Sequence, residues 1–279
     1  MRDVRLIGID IDGTLLNSSE EITPATHREI ERLQAAGKTL ALVTGRRFVS
    51  AAEVARKLTV PVLLGIHNGA SLRHLDGSAL YRRTLAAAEV RRACESAKSR
   101  GGFSWIYVDE PDGGDCRVYC EDPRSAPDGV RGFATTYHGR NAQYFHVLDD
   151  IVGGYAGDAI EVMITVTADE SVPMANTLSA ELGQSASVIR EISSGVSQIE
   201  VAHPDVSKAL ALSFLAERAG FTPDEVMAVG DNFNDIDMLE YAGHPVVMGN
   251  AHEELKGMGY HVAPTNDEDG LAVTLAEVY

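Results

Sequence analysis

Two clusters of aspartates lie near opposite ends of the 279-residue chain, and each directly follows a short apolar run. The first is Asp10-Ile11-Asp12-Gly13-Thr14, after the run 4–9, and the second is Gly230-Asp231-Asn232-Phe233-Asn234-Asp235, after the run 226–229. Each run is typical of a short buried strand. Because ligand sites of open α/β sheets lie at the carboxyl ends of strands, both clusters are predicted to share one pocket. Carboxylates held that close need a cation, and Mg²⁺ prefers oxygen ligands, so the sequence predicts Mg²⁺-dependent chemistry on a phosphate group.

The first cluster has residue types that suit covalent phosphoryl transfer. The carboxylate of Asp10 is a candidate nucleophile that attacks phosphorus and forms an aspartyl-phosphate. Asp12 is a candidate general acid for the leaving oxygen and a candidate general base for the attacking water. Gly13 would let the backbone approach the phosphate closely, and Thr14 offers a hydroxyl group. The alternative is a solvated turn at a strand end, because Asp-Gly is a common turn signal.

The second cluster supplies candidate metal ligands. Asp231 is a candidate ligand of Mg²⁺, and Asp235 is a candidate partner that orients metal-bound water without contacting the metal. Asn234 could donate a hydrogen bond to a phosphate oxygen. The alternative is a loop that caps the following helix, since Asn and Asp are preferred there. The occurrence of both clusters at predicted strand ends favours the functional interpretation.

Further phosphate-binding candidates come from two other positions in the chain. Thr44 follows a predicted strand, and its hydroxyl, the backbone N–H groups of Gly45 and Arg46, and the Arg46 side chain could bind phosphate. Lys208 lies early in a predicted helix and could supply the fixed positive charge that phosphoryl transfer needs. Arg47 is another cation near this strand end. The alternatives are an ordinary strand-to-helix turn and a solvated lysine.

Alternating strands and helices at both ends of the chain provide the frame for these residues. The middle is irregular, which indicates an α+β insertion. The predicted strands are 4–9, 40–43, 62–64, 105–108, 161–166, 187–192, 198–201, 226–229 and 246–248, and the predicted helices are 24–36, 48–58, 86–100, 172–182, 207–219 and 235–241. Residues 109–132 are predicted as a loop. The expected fold is α/β, a doubly wound and mostly parallel sheet formed by residues 1–84 and 193–279, with an inserted α+β cap at 85–192.

Composition narrows the class of protein. The formal net charge is −17, which disfavours nucleic acid and anionic membranes as partners and requires a locally positive pocket for a phosphate substrate. No apolar run reaches the length of a membrane span, and charged residues interrupt the N-terminal apolar stretch, so a cytoplasmic location is expected. The three cysteines, Cys94, Cys116 and Cys120, argue against a disulfide framework and against a zinc site.

As a set, the motifs resemble those of the haloacid dehalogenase (HAD) superfamily of aspartate-nucleophile phosphatases, and more closely those of its Cof-type subfamily IIB with the larger C2-type cap. The motifs that carry the resemblance are 10–16 (DIDGTLL), 43–46 (VTGR), 68–70 (NGA), 206–208 (VSK), 230–235 (GDNFND), 248–251 (MGNA) and 265–270 (TNDEDG). They cover both ends of the chain, and the middle matches only in length and element type. Ala209 departs from the glycine that often follows the lysine in this family, a helix-compatible change.

The resemblance implies a phosphatase and a role for each motif residue. Asp10 would be the nucleophile and a Mg²⁺ ligand, and Asp12 would be the acid/base and bind Mg²⁺ through its backbone carbonyl. Thr44 and Lys208 would hold the phosphoryl group. Asp231 would complete the metal site. Two further residues, Asn234 and Asp235, would support that site.

The substrate is expected to be a small phosphorylated metabolite, such as a sugar phosphate or a phosphorylated cofactor. A phosphomutase of the phosphomannomutase type shares this core and cap and stays an alternative, as does a non-catalytic protein that binds a phosphorylated ligand. The cap would set specificity. Trp105, Tyr107, Tyr137 and His138 are candidates to line it, although the interpretation of Trp105 as a packing residue is preferred. The motifs leave the oligomeric state open.

Overall fold

The computed structural model describes residues 3–109, 116–193 and 195–278. Within these ranges the strands are β1 (Leu6–Ile9), β2 (Thr39–Val43), β3 (Leu63–Ile66), β4 (Ser71–Arg73), β5 (Ala79–Arg82), β6 (Phe103–Val108), β7 (Arg117–Cys120), β8 (Phe145–Val147), β9 (Glu161–Thr167), β10 (Ser187–Ser193), β11 (Val196–Ala202), β12 (Val226–Gly230), β13 (His244–Val247) and β14 (His261–Val262). The α-helices are α1 (Pro24–Ala35), α2 (Phe48–Ala55), α3 (Ala87–Ser99), α4 (Asp128–Arg140), α5 (Ile151–Gly154), α6 (Ser171–Leu182), α7 (Lys208–Ala219), α8 (Ile236–Tyr241), α9 (Glu253–Lys256) and α10 (Gly270–Ala276). The chain divides into two compact units, one formed by residues up to 81 with those from 207 onward and the other by residues 82–206.

The first unit is built on an eight-stranded sheet in the order β14-β13-β12-β1-β2-β3-β4-β5. The strands from β14 to β3 in this order run parallel to their neighbours, and β4 runs antiparallel to β3. β1 lies between β12 and β2, with Ile9 opposite Val229 on one side and Leu42 on the other. The two strands that precede the aspartate clusters are therefore direct neighbours.

Helices cover both faces of this sheet. Alternate residues of β1 enter two separate hydrophobic clusters, Ile7 and Ile9 in one and Leu6 in the other. The first cluster includes residues of α1, α2 and α10, and the second includes residues of α7, α8 and α9. Because side chains alternate between the two faces of a strand, the clusters lie on opposite sides of the sheet. The predicted doubly wound α/β fold is confirmed.

Local sequence signals set the ends of the helices that flank the sheet. Thr23 precedes α1 and its Oγ1 accepts a hydrogen bond from the backbone N–H of Thr26, while Pro24 takes the first helical position. Gly37 follows α1 with a φ of +77°, and Gly220 ends α7 in the left-handed conformation. Both glycines occupy the position past a helix end where a residue without Cβ is favoured.

The second unit contains a six-stranded sheet in the order β10-β11-β9-β6-β7-β8. Its pairings are antiparallel except for the parallel pair β7 and β8. Residues of α3, α5 and α6 form one hydrophobic cluster with residues of β6, β9 and β11. This unit extends beyond the predicted range 85–192, because β11 pairs with β9 and β10 instead of joining the first sheet.

The predicted loop over residues 109–132 is wrong in part. It contains β7 and the beginning of α4, while its residues 110–115 lie outside the described residues. The glycines of α4 obscured the helix in the sequence, since glycine is a poor helix former. Gly129 has a packing role, because a Cβ added there would lie 2.4 Å from Thr167 Cγ2 on β9. Strand β4, which is antiparallel to β3, and strands β5 and β8 were not predicted from the sequence.

Two expectations from composition concern the cysteines, expected to form no disulfide framework, and the apolar segments, expected to be too short to span a membrane. Cys94, Cys116 and Cys120 are all buried. Burial raises the pKa of the Cys94 and Cys120 thiols to about 12, so both stay protonated at neutral pH. Of the helices in the described ranges, none combines the length and the hydropathy that a membrane span requires.

Candidate active site

The carboxyl ends of β1, β2 and β12 bring the predicted site residues to one edge of the first sheet. The backbone N–H of Asp10, just past β1, donates to the carbonyl of Val229 on β12 at 3.0 Å. Asp231 follows β12 directly, and Thr44 follows β2. Parallel neighbours that end at the same edge thus unite segments that are far apart in sequence, as predicted for a ligand site of an open α/β sheet.

Lys208 joins the two aspartate clusters through its ammonium group. Lys208 Nζ lies 2.6 Å from Asp10 Oδ1 and 2.6 Å from Asp235 Oδ1. All three side chains are buried, with Lys208 1% exposed and Asp235 fully enclosed. The lysine is the first residue of α7, which positions it at the sheet edge. Charges removed from water in this way must be paired, and these hydrogen bonds supply the pairing.

Three carboxylates lie around one ammonium group at this edge, and their proximity and burial change the pKa values of the groups. Burial raises the pKa of Asp10 well above its ordinary value, Asp235 and Asp231 add to the rise, and Lys208 opposes it. Burial and the neighbouring Asp235 raise the pKa of Asp231 to about 7. Burial disfavours the Lys208 ammonium, but Asp10 and Asp235 outweigh this and raise its pKa. One lysine thus faces three carboxylates, and the excess negative charge would attract a divalent cation.

The residues fit a hard metal ion. Asp10, Asp231 and Asp235 each offer a carboxylate oxygen, and these atoms lie within 4.8 Å of one another. Asp235 is already engaged through both oxygens, because Oδ2 accepts from the backbone N–H groups of Asp231 and Asn232 at 2.9 Å each and Oδ1 accepts from Lys208. This suits Asp235 as a residue that supports the site and leaves Asp10 and Asp231 as the better candidate ligands.

In the loop after β1, Thr14 donates a hydrogen bond to the Asp231 carboxylate and Gly13 leaves room for it. Thr14 Oγ1 donates to Asp231 Oδ1 at 3.0 Å. Gly13 has a φ of +80°, and a Cβ added there would lie 2.3 Å from Asp231 Oδ2. Only glycine meets both conditions. From the sequence, the Thr14 hydroxyl has no assigned partner; in the structure it bonds to Asp231, and Gly13 leaves the space that the Asp231 carboxylate occupies. The phosphate contact expected for Gly13 stays a prediction.

The turn after β2 is organised around the Thr44 hydroxyl. Thr44 is buried, and its Oγ1 accepts from the backbone N–H of Arg46 at 3.1 Å. Its carbonyl accepts from the backbone N–H of Asn68 at 3.0 Å. Gly45 packs against Asn68, because a Cβ added there would lie 3.3 Å from Asn68 Nδ2. The structure thus brings Thr44 and Gly45 to the site edge in a rigid strand-to-helix turn.

Asn234 contacts another asparagine in this structure. Its Nδ2 donates to Asn68 Oδ1 at 3.1 Å. Asn68 and the preceding His67 both have left-handed backbones, with φ of 50° and 48°. Non-glycine residues in this region carry strain of about 1–3 kcal/mol each, and such strain concentrates at functional sites. The sequence analysis noted Asn68 only as part of a family motif and gave it no role.

The guanidinium group of Arg46 donates two hydrogen bonds to the carboxylate of Asp12. Arg46 Nε donates to Asp12 Oδ2 at 2.8 Å, and Nη2 donates to Asp12 Oδ1 at 2.6 Å. The hydrogen bond to Asp12 raises the pKa of the guanidinium. The sequence predicts a phosphate contact for Arg46, and its pairing with Asp12 was not predicted.

Asn250, in the loop after β13, and Asn266 contribute hydrogen bonds to the edge that holds the aspartate clusters. Neither was among the predicted site residues. Asn250 Nδ2 donates to the Gly13 carbonyl at 2.9 Å and approaches Asp231 Oδ2 at 3.4 Å. Asn250 Oδ1 accepts from the backbone N–H of Asn266, whose own Nδ2 donates to the carbonyl of Leu16 at 2.9 Å. Both asparagines belong to motifs that carry the family resemblance, which was the available signal.

The four candidate cap residues differ in their surroundings within the second unit. Trp105 is fully buried, and its Nε1 donates to Thr165 Oγ1 at 3.0 Å. Its ring packs edge-on against Tyr137 with centroids 5.4 Å apart, which confirms the packing interpretation. The Tyr107 hydroxyl lies 2.7 Å from that of Tyr137, and His138 packs against Phe145. A substrate contact for Tyr107, Tyr137 or His138 stays a prediction.

Comparisons with known proteins agree with this fold. The family model for haloacid dehalogenase-like hydrolases matches residues 7–275. The phosphatase YwtE of Bacillus subtilis (strain 168), named for 5-amino-6-(5-phospho-D-ribitylamino)uracil, is 28% identical over 282 residues and covers 96% of both chains.

Two solved structures extend the comparison to the fold. A crystal structure of a haloacid dehalogenase-like hydrolase from Bacteroides thetaiotaomicron matches with a TM-score of 0.76 and 27% identity, and 98% of each chain is covered. The HAD subclass IIB sugar phosphatase BT4131 matches with a TM-score of 0.76 over 98% of each chain, and at 19% identity this likeness concerns the fold alone. The chain therefore belongs to the haloacid dehalogenase-like hydrolases, as a phosphatase of the Cof type.

Proposed function

We propose that this phosphatase is Mg²⁺-dependent and hydrolyses small phosphorylated metabolites through an aspartyl-phosphate on Asp10. The observation that carries the proposal is the buried contact of 2.6 Å between Lys208 Nζ and Asp10 Oδ1, beside Asp231. A carboxylate that attacks a phosphate ester must overcome the repulsion between two anions. A buried lysine against the nucleophile reduces that repulsion and can also contact the incoming phosphoryl oxygens.

The reaction would proceed in two displacements at phosphorus. In the first, a bond forms between an Asp10 oxygen and phosphorus, the ester P–O bond breaks, and a proton passes from Asp12 to the leaving oxygen. In the second, the oxygen of a water bonds to phosphorus, the bond to Asp10 breaks, and Asp12 takes the proton from the water. Thr44, the backbone N–H of Gly45 and Lys208 would hold the phosphoryl oxygens.

Magnesium would be held by the side chains of Asp10 and Asp231 and by the backbone carbonyl of Asp12, with Asp235 orienting this group of ligands. The carboxylate oxygens near one another are the donors that Mg²⁺ prefers. The bound ion would offset the negative charge of the carboxylates and of the substrate phosphate. Asn234 is proposed to contact a phosphate oxygen when substrate is present.

The substrate is proposed to be a phosphate monoester of a small polyol or sugar. The Bacillus relatives named for a phosphorylated ribitylamino-uracil, at 24–28% identity, support a trial of that compound alongside hexose phosphates. The proposal includes the prediction that the second unit sets specificity. If it does, substitutions in residues 82–206 will change the order in which the enzyme prefers its substrates.

The first experiment is phosphate release from an aryl phosphate, a hexose phosphate panel and the ribityl compound, with and without Mg²⁺. Wild type and Asp10→Asn would be compared with Asp237→Asn, an exposed aspartate on α8, as the matched control. We expect Mg²⁺-dependent release by wild type and the control, and none by Asp10→Asn. Turnover that survives in Asp10→Asn would exclude the covalent mechanism.

Two other outcomes would replace the proposal with one of the sequence-based alternatives. Isomerised sugar phosphate with little free phosphate would identify a phosphomutase. Binding of a phosphorylated ligand without any turnover would identify a non-catalytic protein.

A further inference from the structure

The carboxylate of Asp12 is held by one side chain. Among the residues that the structure describes, Arg46 is its one hydrogen-bond donor, through a two-point contact of 2.8 Å and 2.6 Å. The Asp12 side chain is 59% exposed, whereas Arg46 is 24% exposed. An exposed carboxylate has several accessible rotamers, and a planar two-point contact with a guanidinium restricts them more than a single hydrogen bond would.

Two contacts other than the one with Asp12 hold Arg46 in place. Its backbone N–H donates to Thr44 Oγ1 at 3.1 Å, which sets the turn after β2. Its Nη1 donates to Ser50 Oγ on α2 at 3.3 Å. The guanidinium is therefore supported from the turn and from the first turn of α2, and it presents the remaining edge to Asp12. Long side chains that are held at several points lose less entropy on binding a partner.

While Nε and Nη2 donate to Asp12, these two atoms cannot make a two-point contact with a phosphate. We propose that Arg46 acts through Asp12, as the positioning residue for the acid/base carboxylate, and is not a ligand of the transferred phosphoryl group. This inference rests on the proposed function, because Asp12 needs a defined place only if it exchanges a proton with the leaving oxygen and with water. It replaces the phosphate contact that the sequence analysis assigned to Arg46.

The leaving group distinguishes these two roles. When the P–O bond of an alkyl phosphate breaks, the alkoxide needs the proton from Asp12, whereas an aryl phosphate releases a stable phenolate that needs none. A residue that positions the acid therefore matters for kcat/KM on the alkyl ester and little for kcat/KM on the aryl ester. This ratio reports the first displacement and leaves out the second, in which Asp12 serves both esters alike. A phosphate ligand contacts the group that both esters share, so its loss affects both equally.

The test compares Arg46→Met and Arg46→Lys with wild type on a hexose phosphate and an aryl phosphate. General acid catalysis contributes about 10²–10⁴-fold. We expect Arg46→Met to lower kcat/KM on the hexose phosphate by about 10- to 100-fold and on the aryl phosphate by less than about threefold. Arg46→Lys, which keeps one donor, is expected to recover part of the loss. Arg56→Met, at an exposed arginine after α2, is the matched control.

A double-mutant cycle with Asp12→Asn gives a second readout on the hexose phosphate. If Arg46 acts through Asp12, Arg46→Met adds little to the loss already caused by Asp12→Asn. Independent, multiplying losses would overturn the proposal. Inhibition by inorganic phosphate gives a third readout, because loss of a phosphate ligand would raise its inhibition constant and loss of a positioning residue would leave it unchanged.

The possible failures can be separated. Equal losses of kcat/KM on both esters in an active enzyme, with a raised inhibition constant for phosphate, would overturn the role of Arg46 alone and make it a phosphate ligand. Wild-type protein that releases phosphate from neither ester would overturn the proposed function and this inference together. Thermal unfolding of each variant identifies any loss of activity that comes from misfolding. If Arg46→Met is misfolded, Arg46→Lys is compared with wild type on the two esters instead.

Discussion

Lys208 and Asp10 form a buried ion pair of 2.6 Å although 198 residues separate them in the sequence. The same ammonium group contacts Asp235, so one side chain contacts both the proposed nucleophile and the residue proposed to support the metal ligands. The site thus contains a buried positive charge although the chain as a whole has a formal net charge of −17.

Replacement of Lys208 by methionine is expected to abolish turnover and to weaken the fold. It leaves two buried carboxylates without their partner, which costs about 3–5 kcal/mol in the free energy of unfolding. Loss of the fixed charge is expected to lower kcat by about 10² or more. Urea unfolding and aryl phosphate turnover would measure the two effects. Lys57→Met, at an exposed position, is the control, and near-normal turnover in Lys208→Met would contradict the assignment.

Gly13→Ala is expected to impair metal binding, because the new Cβ would meet the Asp231 carboxylate. Gly37→Ala is a matched control, since Gly37 has a similar φ of +77° but no atom within 4 Å of the added Cβ. Both variants should lose about 1–2 kcal/mol of stability from the backbone. Only Gly13→Ala should raise the Mg²⁺ concentration for half-maximal activity, by about tenfold or more. Equal Mg²⁺ dependence in both would refute the steric explanation.

Magnesium binding is expected to weaken as the pH falls below neutrality. The metal-free pKa of Asp231 is raised to about 7, so protons compete with the metal for its carboxylate. The apparent affinity should fall by up to about tenfold for each pH unit below 7. Calorimetric titration at pH 6 and pH 8, in buffers of different ionisation enthalpy, would detect both this fall and the released proton. Equal affinity at the two pH values would count against Asp231 as a ligand.

The metal-free protein is expected to lose stability as the pH rises from about 4 to about 7. Asp231 has an ordinary pKa of 3.8 when unfolded and about 7 when folded, so the folded state binds more protons between these values. Its contribution is present at the acidic end and is lost as the pH approaches 7; the raised pKa of Asp10 acts in the same sense. Urea midpoints in a chelator at pH 5 and pH 7.5 test this. Added Mg²⁺ should reverse the trend, and a trend of the same sign with the metal would contradict it.

Trp105→Phe is expected to lower stability and to leave catalysis unchanged. The variant removes the Nε1 donor to Thr165, a bond buried on both sides, at a cost of about 1–3 kcal/mol. Thr165→Val removes the acceptor, and the double variant should cost little more than either single one. Values of kcat and KM should stay within about twofold of wild type. A selective rise in KM for one substrate would instead make Trp105 a specificity residue.

The sequence was sufficient for the strand ends and for the acids that follow them. Buried apolar runs such as 226–229 produce strands by burial alone, and the parallel order then brings Asp10, Asp231 and Thr44 to one edge. The pairing between Arg46 and Asp12 could not be predicted in this way. It depends on the angle at which the turn leaves β2, which no periodicity encodes.

The remaining misses have a common physical origin. Helix α4 was hidden because glycine is a poor helix former, and one of its glycines, Gly129, serves close packing on β9, a tertiary effect that outweighs local propensity. Asn250 and Asn266 act through hydrogen bonds to loop backbones, and amides of this kind are indistinguishable in sequence from solvated loop residues.

The central position of β1 has a consequence for the order in which the protein becomes active during synthesis. Its neighbour β2 emerges from the ribosome soon after it, but β12 follows only after the whole second unit has been made. Until then the nascent chain carries Asp10 without Asp231, and one edge of β1 is unpaired and open to association with other strands. Hydrolytic activity therefore arises late in translation, and any chain that stops before β12 is both inactive and prone to aggregation.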